Sequence, residues 1–268
     1  MKKPIWIVIV LIMVLAISAC KDKKKDDTLP VGEEGESQVT LFAPLPSFKA
    51  VFTALDQLES RDISAAIPTD MYKTKQDPYR NSFALGVLTA DAIIAVRGRN
   101  KSKLMTIANE MKRITTLLNL EAEVPQLNDD IKTLVEKEQW SELEQTLDKH
   151  KKVVEDKLWE REDLDQYTLM VLGGWTEAAN RVSWLINRNF TAERTKVLKQ
   201  KGTWNDIYSN MKLINSASIV NEAYYKPVLE LIEKVKAVLD AEIEGTYSLT
   251  QTEEILKQTD LIKAEFQK

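Results

Sequence analysis

The chain has 268 residues, with 37 Lys+Arg against 41 Asp+Glu, a single His, a single Cys and only 8 Gly. One Cys and one His exclude a disulfide framework, a zinc-cysteine site and a Cys-His catalytic pair. A net charge of -4 lacks the basic footprint with which nucleic-acid binders neutralise phosphates, and an apolar fraction of 44% is that of an ordinary globular chain of one or two domains.

Met1-Lys2-Lys3 is a short basic start, and Pro4 to Ile17 is a charge-free apolar stretch of 14 residues followed by Ser18-Ala19-Cys20. This pattern reads as a secretory signal over residues 1–19. The apolar run ends at 16 residues even with Ser18 and Ala19 included, short of the ~20 that a spanning helix needs. Ile17-Ser18-Ala19-Cys20 resembles the lipobox of bacterial lipoproteins, with Ile in place of the usual first Leu. The resemblance implies a diacylglyceryl group on the Cys20 thiol, cleavage before that residue, and attachment to membrane lipid in the bacterial envelope. Two or three acyl chains make such attachment effectively permanent.

Cleavage removes Lys2 and Lys3 and leaves the mature chain more acidic by two charges. Lys21-Asp22-Lys23-Lys24-Lys25-Asp26-Asp27 is charged at every position, and Pro30, Gly32, Gly35, Pro44 and Pro46 follow. Residues 20–46 therefore read as a lipidated Cys and a flexible tether. Lys21 directly after the Cys, with no Asp there, resembles outer-membrane sorting, and the mixed Lys/Asp run resembles the surface-export tags of some bacterial groups. The expected address is the outer membrane, on its periplasmic or surface face.

From residue 47 to 268 strand signals are almost absent, and helical periodicity predicts an all-α domain of about nine or ten helices in at least two layers. Pro46-Ser47 caps a segment with Val51, Leu55 and Leu58 on one face. Leu104, Ala108, Met111, Thr115 and Leu118 recur at helical spacing in 101–118, and Leu127, Ile131 and Leu134 in 125–137. Leu143, Leu147, Val154 and Leu158 do so in 141–158, and 227–243 and 250–266 close the chain as two amphipathic helices. Three segments differ: 81–96 carries one charge, Asp91, while 168–176 and 213–221 carry none. Helices apolar all round are enclosed by others, so these three are expected at the centre.

The first two of these segments share the pattern Leu-Gly-x-x-Thr-x-x-Ala, at Leu85-Gly86 to Ala92 and at Leu172-Gly173 to Ala179, an offset of 87 residues that also aligns Asn100 with Asn187. Gly, Thr and Ala at this spacing form a narrow ridge that lets helix backbones approach closely. Gly inside a helix costs ~1 kcal/mol relative to Ala, a cost that a solvated face would leave uncompensated. The pattern raises an internal duplication, with the two segments in equivalent places. The segment Leu85 to Ala92 also resembles uncharacterised helical envelope proteins of Gram-negative bacteria, a likeness that brings no activity with it.

His150, in Asp148-Lys149-His150-Lys151-Lys152, reads as part of a solvated face, since no second His stands at a ligand spacing and the adjacent Lys charges disfavour a cation. No P-loop or dinucleotide glycine run is present, no metal ligand set is seen, and no cofactor is called for. Trp175 and Trp184 read as core, Trp140 and Trp204 as openers of helices, and an aromatic ligand groove is the alternative for these rings. Asp91 is the most informative polar residue, because a buried carboxyl needs a hydrogen-bonded cation or its proton. Glu177 and Arg181 lie one turn apart and can pair, and Arg97 is a further partner for Asp91. The choice is between structural ion pairs and a small polar pocket lined by Asp91, Glu177, Asn180 and Arg181. The leading expectation is a non-catalytic, lipid-anchored envelope protein that binds an envelope protein partner or helps an assembly. The alternative is a small-molecule binder with an interhelical pocket, and a carboxylate hydrolase is the third class.

Overall fold

The computed structural model describes residues 48–58, 63–120 and 127–268, all within the compact unit Thr40–Lys268. The signal sequence, Cys20, the tether and the Pro46-Ser47 cap lie outside the described residues. Among the described residues there are ten α-helices: α1 (Phe48–Gln57), α2 (Pro78–Arg97), α3 (Lys101–Leu117), α4 (Leu127–Glu136), α5 (Trp140–Glu160), α6 (Leu164–Arg188), α7 (Lys201–Leu213), α8 (Ala217–Val220), α9 (Tyr225–Asp240) and α10 (Leu249–Gln267). Short 3-10 turns occur at Ile63–Ala66 and Glu193–Leu198, and there is no strand among the described residues. The expected fold class is the observed one. None of these helices is long and apolar enough to cross a membrane.

The centre of the body is the pair α2 and α6. Asp77 starts α2, its carboxylate accepting from the Tyr79 and Arg80 amides at 2.7 and 3.1 Å, with Pro78 at the first helical position. Every residue from Asn81 to Val96 is buried, as the absence of charge requires. A Cβ on Gly86 would stand 1.9 Å from the Met170 carbonyl oxygen, and one on Gly173 would stand 2.0 Å from that of Phe83. Each glycine thus sits on the backbone of the other helix. The contact is reciprocal, because Phe83 and Met170 are themselves 87 residues apart, as a local two-fold relation between α2 and α6 requires. Beyond this pair the two halves diverge: α2 leads into a 17-residue helix that packs back on it, whereas α6 leads into the 3-10 turn at Glu193–Leu198.

The remaining helices wrap this pair. α3 packs on α2, α4 bridges α3 and α5, and α5 returns to α6; on the other flank α10 packs on α6 and α9, and α9 on α7. Their buried residues follow the amphipathic stripes, for example Leu143, Leu147, Val154 and Leu158 on α5. α10 begins with a reciprocal capping box between Ser248 and Gln251. Its far end is fixed to α2 by the Phe83–Phe266 ring stack at 3.9 Å and by the Arg80 guanidinium, which donates to the Phe266 carbonyl at 2.8 Å.

Three expectations need correction. Residues 213–221 are not a central helix: α7 ends at Leu213, which is half exposed, and only Ile214 and Ile219 of the segment are buried. Asn215, Ser216 and Ser218 are uncharged but strongly polar, and they end a helix more readily than they enclose one. His150 is not fully solvated, since its Nε2 lies 3.4 Å from Asp130 of α4 and burial between α4 and α5 pushes its pKa down. Trp204 does not open α7 but stands at its fourth position, among the largest fully buried side chains.

Candidate functional site

Asp91, Glu177 and Arg181 meet where α2 crosses α6, and α10 supplies a group the sequence reading missed, Lys263. Asp91 is 2% exposed and Glu177 is fully buried. The Arg181 guanidinium pairs with Glu177 one turn before it and stands 3.8 Å from Asp91 Oδ1. Lys263 Nζ lies 2.9 Å from the other oxygen of Glu177 and 3.2 Å from Asp260. Both oxygens of Glu177, Asp91 Oδ1 and Arg181 Nε sit in these ion-pair contacts without hydrogen-bond geometry.

Asn180 plays a different part from the expected one. It does not line the cleft but stands behind Lys263, its carbonyl oxygen accepting from Nζ at 2.9 Å. Its amide nitrogen donates to Thr259, Asp260 and the Leu256 carbonyl at 3.0, 2.8 and 3.3 Å. Asn180 thereby locks the register of α10 against α6 and holds the ammonium over Glu177. Arg97 is not a partner of Asp91, since it pairs with Asp56 of α1 at the C-terminal end of α2.

Burial raises the Asp91 pKa well above the ordinary carboxylate value, with the charge of Glu177 and hydrogen bonding between the two carboxyls adding to the rise and Arg181 and Lys263 opposing it. Burial also pushes Glu177 up, but Lys263 and Arg181 outweigh it and leave its pKa below the ordinary value. Two adjacent buried carboxyls with unequal cation contact thus separate into one neutral acid, Asp91, and one carboxylate, Glu177. The stability consequence has a definite sign. The folded chain keeps a proton on Asp91 that the unfolded chain releases above pH 3.8, so this contribution is complete below that pH and is lost as pH rises through the folded value. Asp91→Asn, a neutral isostere, is expected to be at least as stable as the wild type at neutral pH and to lack this part of the pH dependence. Urea titrations from about pH 4 to about pH 8 check it.

Over the carboxyls lies an open cleft of about 380 Å³, whose lining includes Asp70, Tyr72, Lys73, Asp91, Glu177, Arg181, Asp260 and Lys263. Its outer wall is residues 67–77, a segment with no helix or strand. Side-chain hydrogen bonds strap this segment down on two sides. The Tyr72 hydroxyl donates to the Lys263 carbonyl at 3.2 Å and Gln267 donates to the Lys73 carbonyl at 2.6 Å, both on α10. On α3, Lys103 donates to the Thr69 carbonyl at 3.3 Å and Glu110 accepts from Thr74 at 2.8 Å.

No protein-family model, curated protein or solved structure matches this chain. Among the described residues no group of three or more His, Cys, Asp or Glu is placed to hold a metal ion. The apolar cavity lined in part by Trp175 and Trp204 has a volume of about 50 Å³, too small for an aromatic ligand. The four-residue set expected from the sequence thus resolves into Asp91, Glu177 and Arg181 on the cleft and Asn180 behind it, with Lys263, Asp260 and the strap completing the site.

Proposed function

We propose that this chain is a lipid-anchored, non-catalytic envelope protein whose helical body binds a small polar molecule in the cleft between α2, α6, α10 and residues 67–77. The observation that carries the reading is the conjunction of volume and chemistry. A cleft of about 380 Å³ is of ligand size, and its floor gathers the Asp91 and Glu177 carboxyls with the Arg181 and Lys263 cations. The hydrolase alternative is disfavoured by Glu177, which is fully buried with both oxygens against cations and so is a poor nucleophile or base. The protein-interaction reading calls for a continuous exposed apolar groove. Among the described residues the large exposed apolar side chains are instead Leu117, Trp159, Leu213, Ile243, Leu249 and Leu261, spread over four helices and one connecting segment.

Native mass spectrometry of the full chain released gently from its own envelope tests the proposal. The expected result is a bound small molecule lost on denaturation; an empty protein that crosslinks to one protein partner in the envelope would reverse it. The anchor is tested separately. Cys20→Ser is expected to leave the precursor uncleaved or the product unattached, and an unmodified Cys20 thiol in mature wild-type protein would refute the anchor.

A further inference from the structure

The connection between α9 and α10 is firmly braced, yet it holds an aliphatic side chain in water. Glu244 and Gly245 take positive φ of 52° and 75°, and Ile243 and Thr246 exchange both backbone hydrogen bonds at 3.0 Å, the pattern of a two-residue hairpin turn. Buried Tyr247 fixes this turn to its surroundings. Its amide donates to Thr195 Oγ1 of the 3-10 turn Glu193–Leu198 at 2.8 Å, and its hydroxyl donates to the Leu239 carbonyl at 3.3 Å. The Gln251 side chain donates to the Ala241 carbonyl at 2.8 Å. Ile243 is nevertheless 73% exposed, more than any other large apolar side chain among the described residues, and Leu249, 39% exposed, follows at the start of α10. The turn cannot fold Ile243 back onto the core without giving up these bonds.

Two observations indicate what covers this face. α1, where the chain from Cys20 enters the described body, packs against Glu193–Leu198, the same 3-10 turn that accepts from Tyr247. Residues 21–47 join Cys20 to α1 and span at most about 100 Å even fully extended, so an acylated Cys20 makes contact with the bilayer an intramolecular event for which weak attraction suffices. Charge points the same way. Segments 188–201 and 240–249 carry five basic against four acidic residues in a chain whose net charge is -4, so this face is spared the repulsion from anionic lipid that the rest of the body meets. We infer that this face docks on the bilayer that holds the acyl anchor, with Ile243 and Leu249 entering the interfacial region and the exposed Arg188 and Lys199 at the level of the lipid phosphates. The inference rests on the lipid anchor of the proposed function and adds which face of the body meets the lipid.

The test uses the full acylated chain in vesicles of phosphatidylethanolamine and phosphatidylglycerol, prepared with and without lipid that carries a doxyl quencher high on its acyl chain. A fluorescent thiol label is placed on Ile243→Cys or, as the control on α3, on the exposed Leu117→Cys; a thioether at Cys20 leaves no other thiol to react. Circular dichroism checks that each labelled protein keeps its helices. The expected result is flotation of both proteins with the vesicles and roughly twofold or stronger quenching at 243, with little at 117. Floating protein whose label at 243 is quenched no more than that at 117 would overturn the docking face and leave the anchor standing. A crosslink from position 243 to a second copy in the vesicles, or to another protein in the native envelope, would overturn it in favour of a protein partner. Protein that does not float and carries an unmodified Cys20 thiol would remove the anchor and the docking face together.

Discussion

Gly86→Ala and Gly173→Ala are each expected to destabilise the body by about 2 kcal/mol or more, although Ala is the better helix former by ~1 kcal/mol. The added Cβ would lie 1.9 Å from the Met170 carbonyl oxygen in one variant and 2.0 Å from the Phe83 carbonyl oxygen in the other. Backbone oxygens inside a helix cannot step aside, so the only relief is separation of α2 from α6, which forfeits dispersion contacts along both. Leu at either position is expected to prevent folding. The two Ala substitutions should be less than additive, because one separation of the helices relieves both clashes. Gly202, on α7, has nothing within 4 Å of its missing Cβ, so Gly202→Ala should be neutral or slightly stabilising. Urea midpoints at unchanged slope measure all four variants. Unaltered stability in Gly86→Ala and Gly173→Ala would remove the close central crossing.

Lys263→Met should cost about 3 kcal/mol at neutral pH, the scale for a buried carboxylate stripped of a partner. Met keeps most of the apolar stem, so the loss reports the charge rather than the packing. The pH dependence identifies the cause. In the wild type Glu177 titrates below its ordinary value of 4.5, so its contribution is present above that pH and lost as pH falls through the folded value. In Lys263→Met a single cation faces Glu177, burial gains the upper hand and the carboxyl is expected to hold a proton at a higher pH. The difference between wild type and variant should therefore shrink as the solution is acidified. Glu177→Gln added to Lys263→Met should restore part of the lost stability, because the orphaned charge is then gone. A deficit that is the same at all pH values would mean that Lys263 matters only for packing.

The two central helices were legible in the sequence because charge is nearly absent from 81–96 and 168–176, and the glycines at 86 and 173 mark where they touch. The same criterion failed at 213–221 because freedom from charge is not apolarity. Helix ends were read less well, since α2, α3, α4 and α5 close on Arg99, Asn119, Glu138 and Glu162 at positive φ rather than on glycine.

At the site, Asp91 stood out as the lone charge in an enclosed helix, and the Glu177–Arg181 pair followed from helical spacing. Lys263 did not stand out, because on α10 it is one of several Lys residues on an amphipathic helix and its partner is 86 residues away. The signal that could have marked it is its place at the edge of the buried stripe Ile255, Thr259, Ile262 and Phe266, directly after Ile262 and one turn beyond Thr259. The strap at 67–77 carries no periodicity, and its position depends on hydrogen bonds to α3 and α10 that no local pattern encodes.

The most direct measurement is a crystal structure of the full chain purified from its own envelope, at a resolution that separates water from ligand atoms. The expected result is density for a small polar molecule in the cleft, in contact with lining residues that include Lys73, Arg181 and Lys263. A cleft holding only ordered water would contradict it and reduce Asp91, Glu177, Arg181 and Lys263 to structural ion pairs.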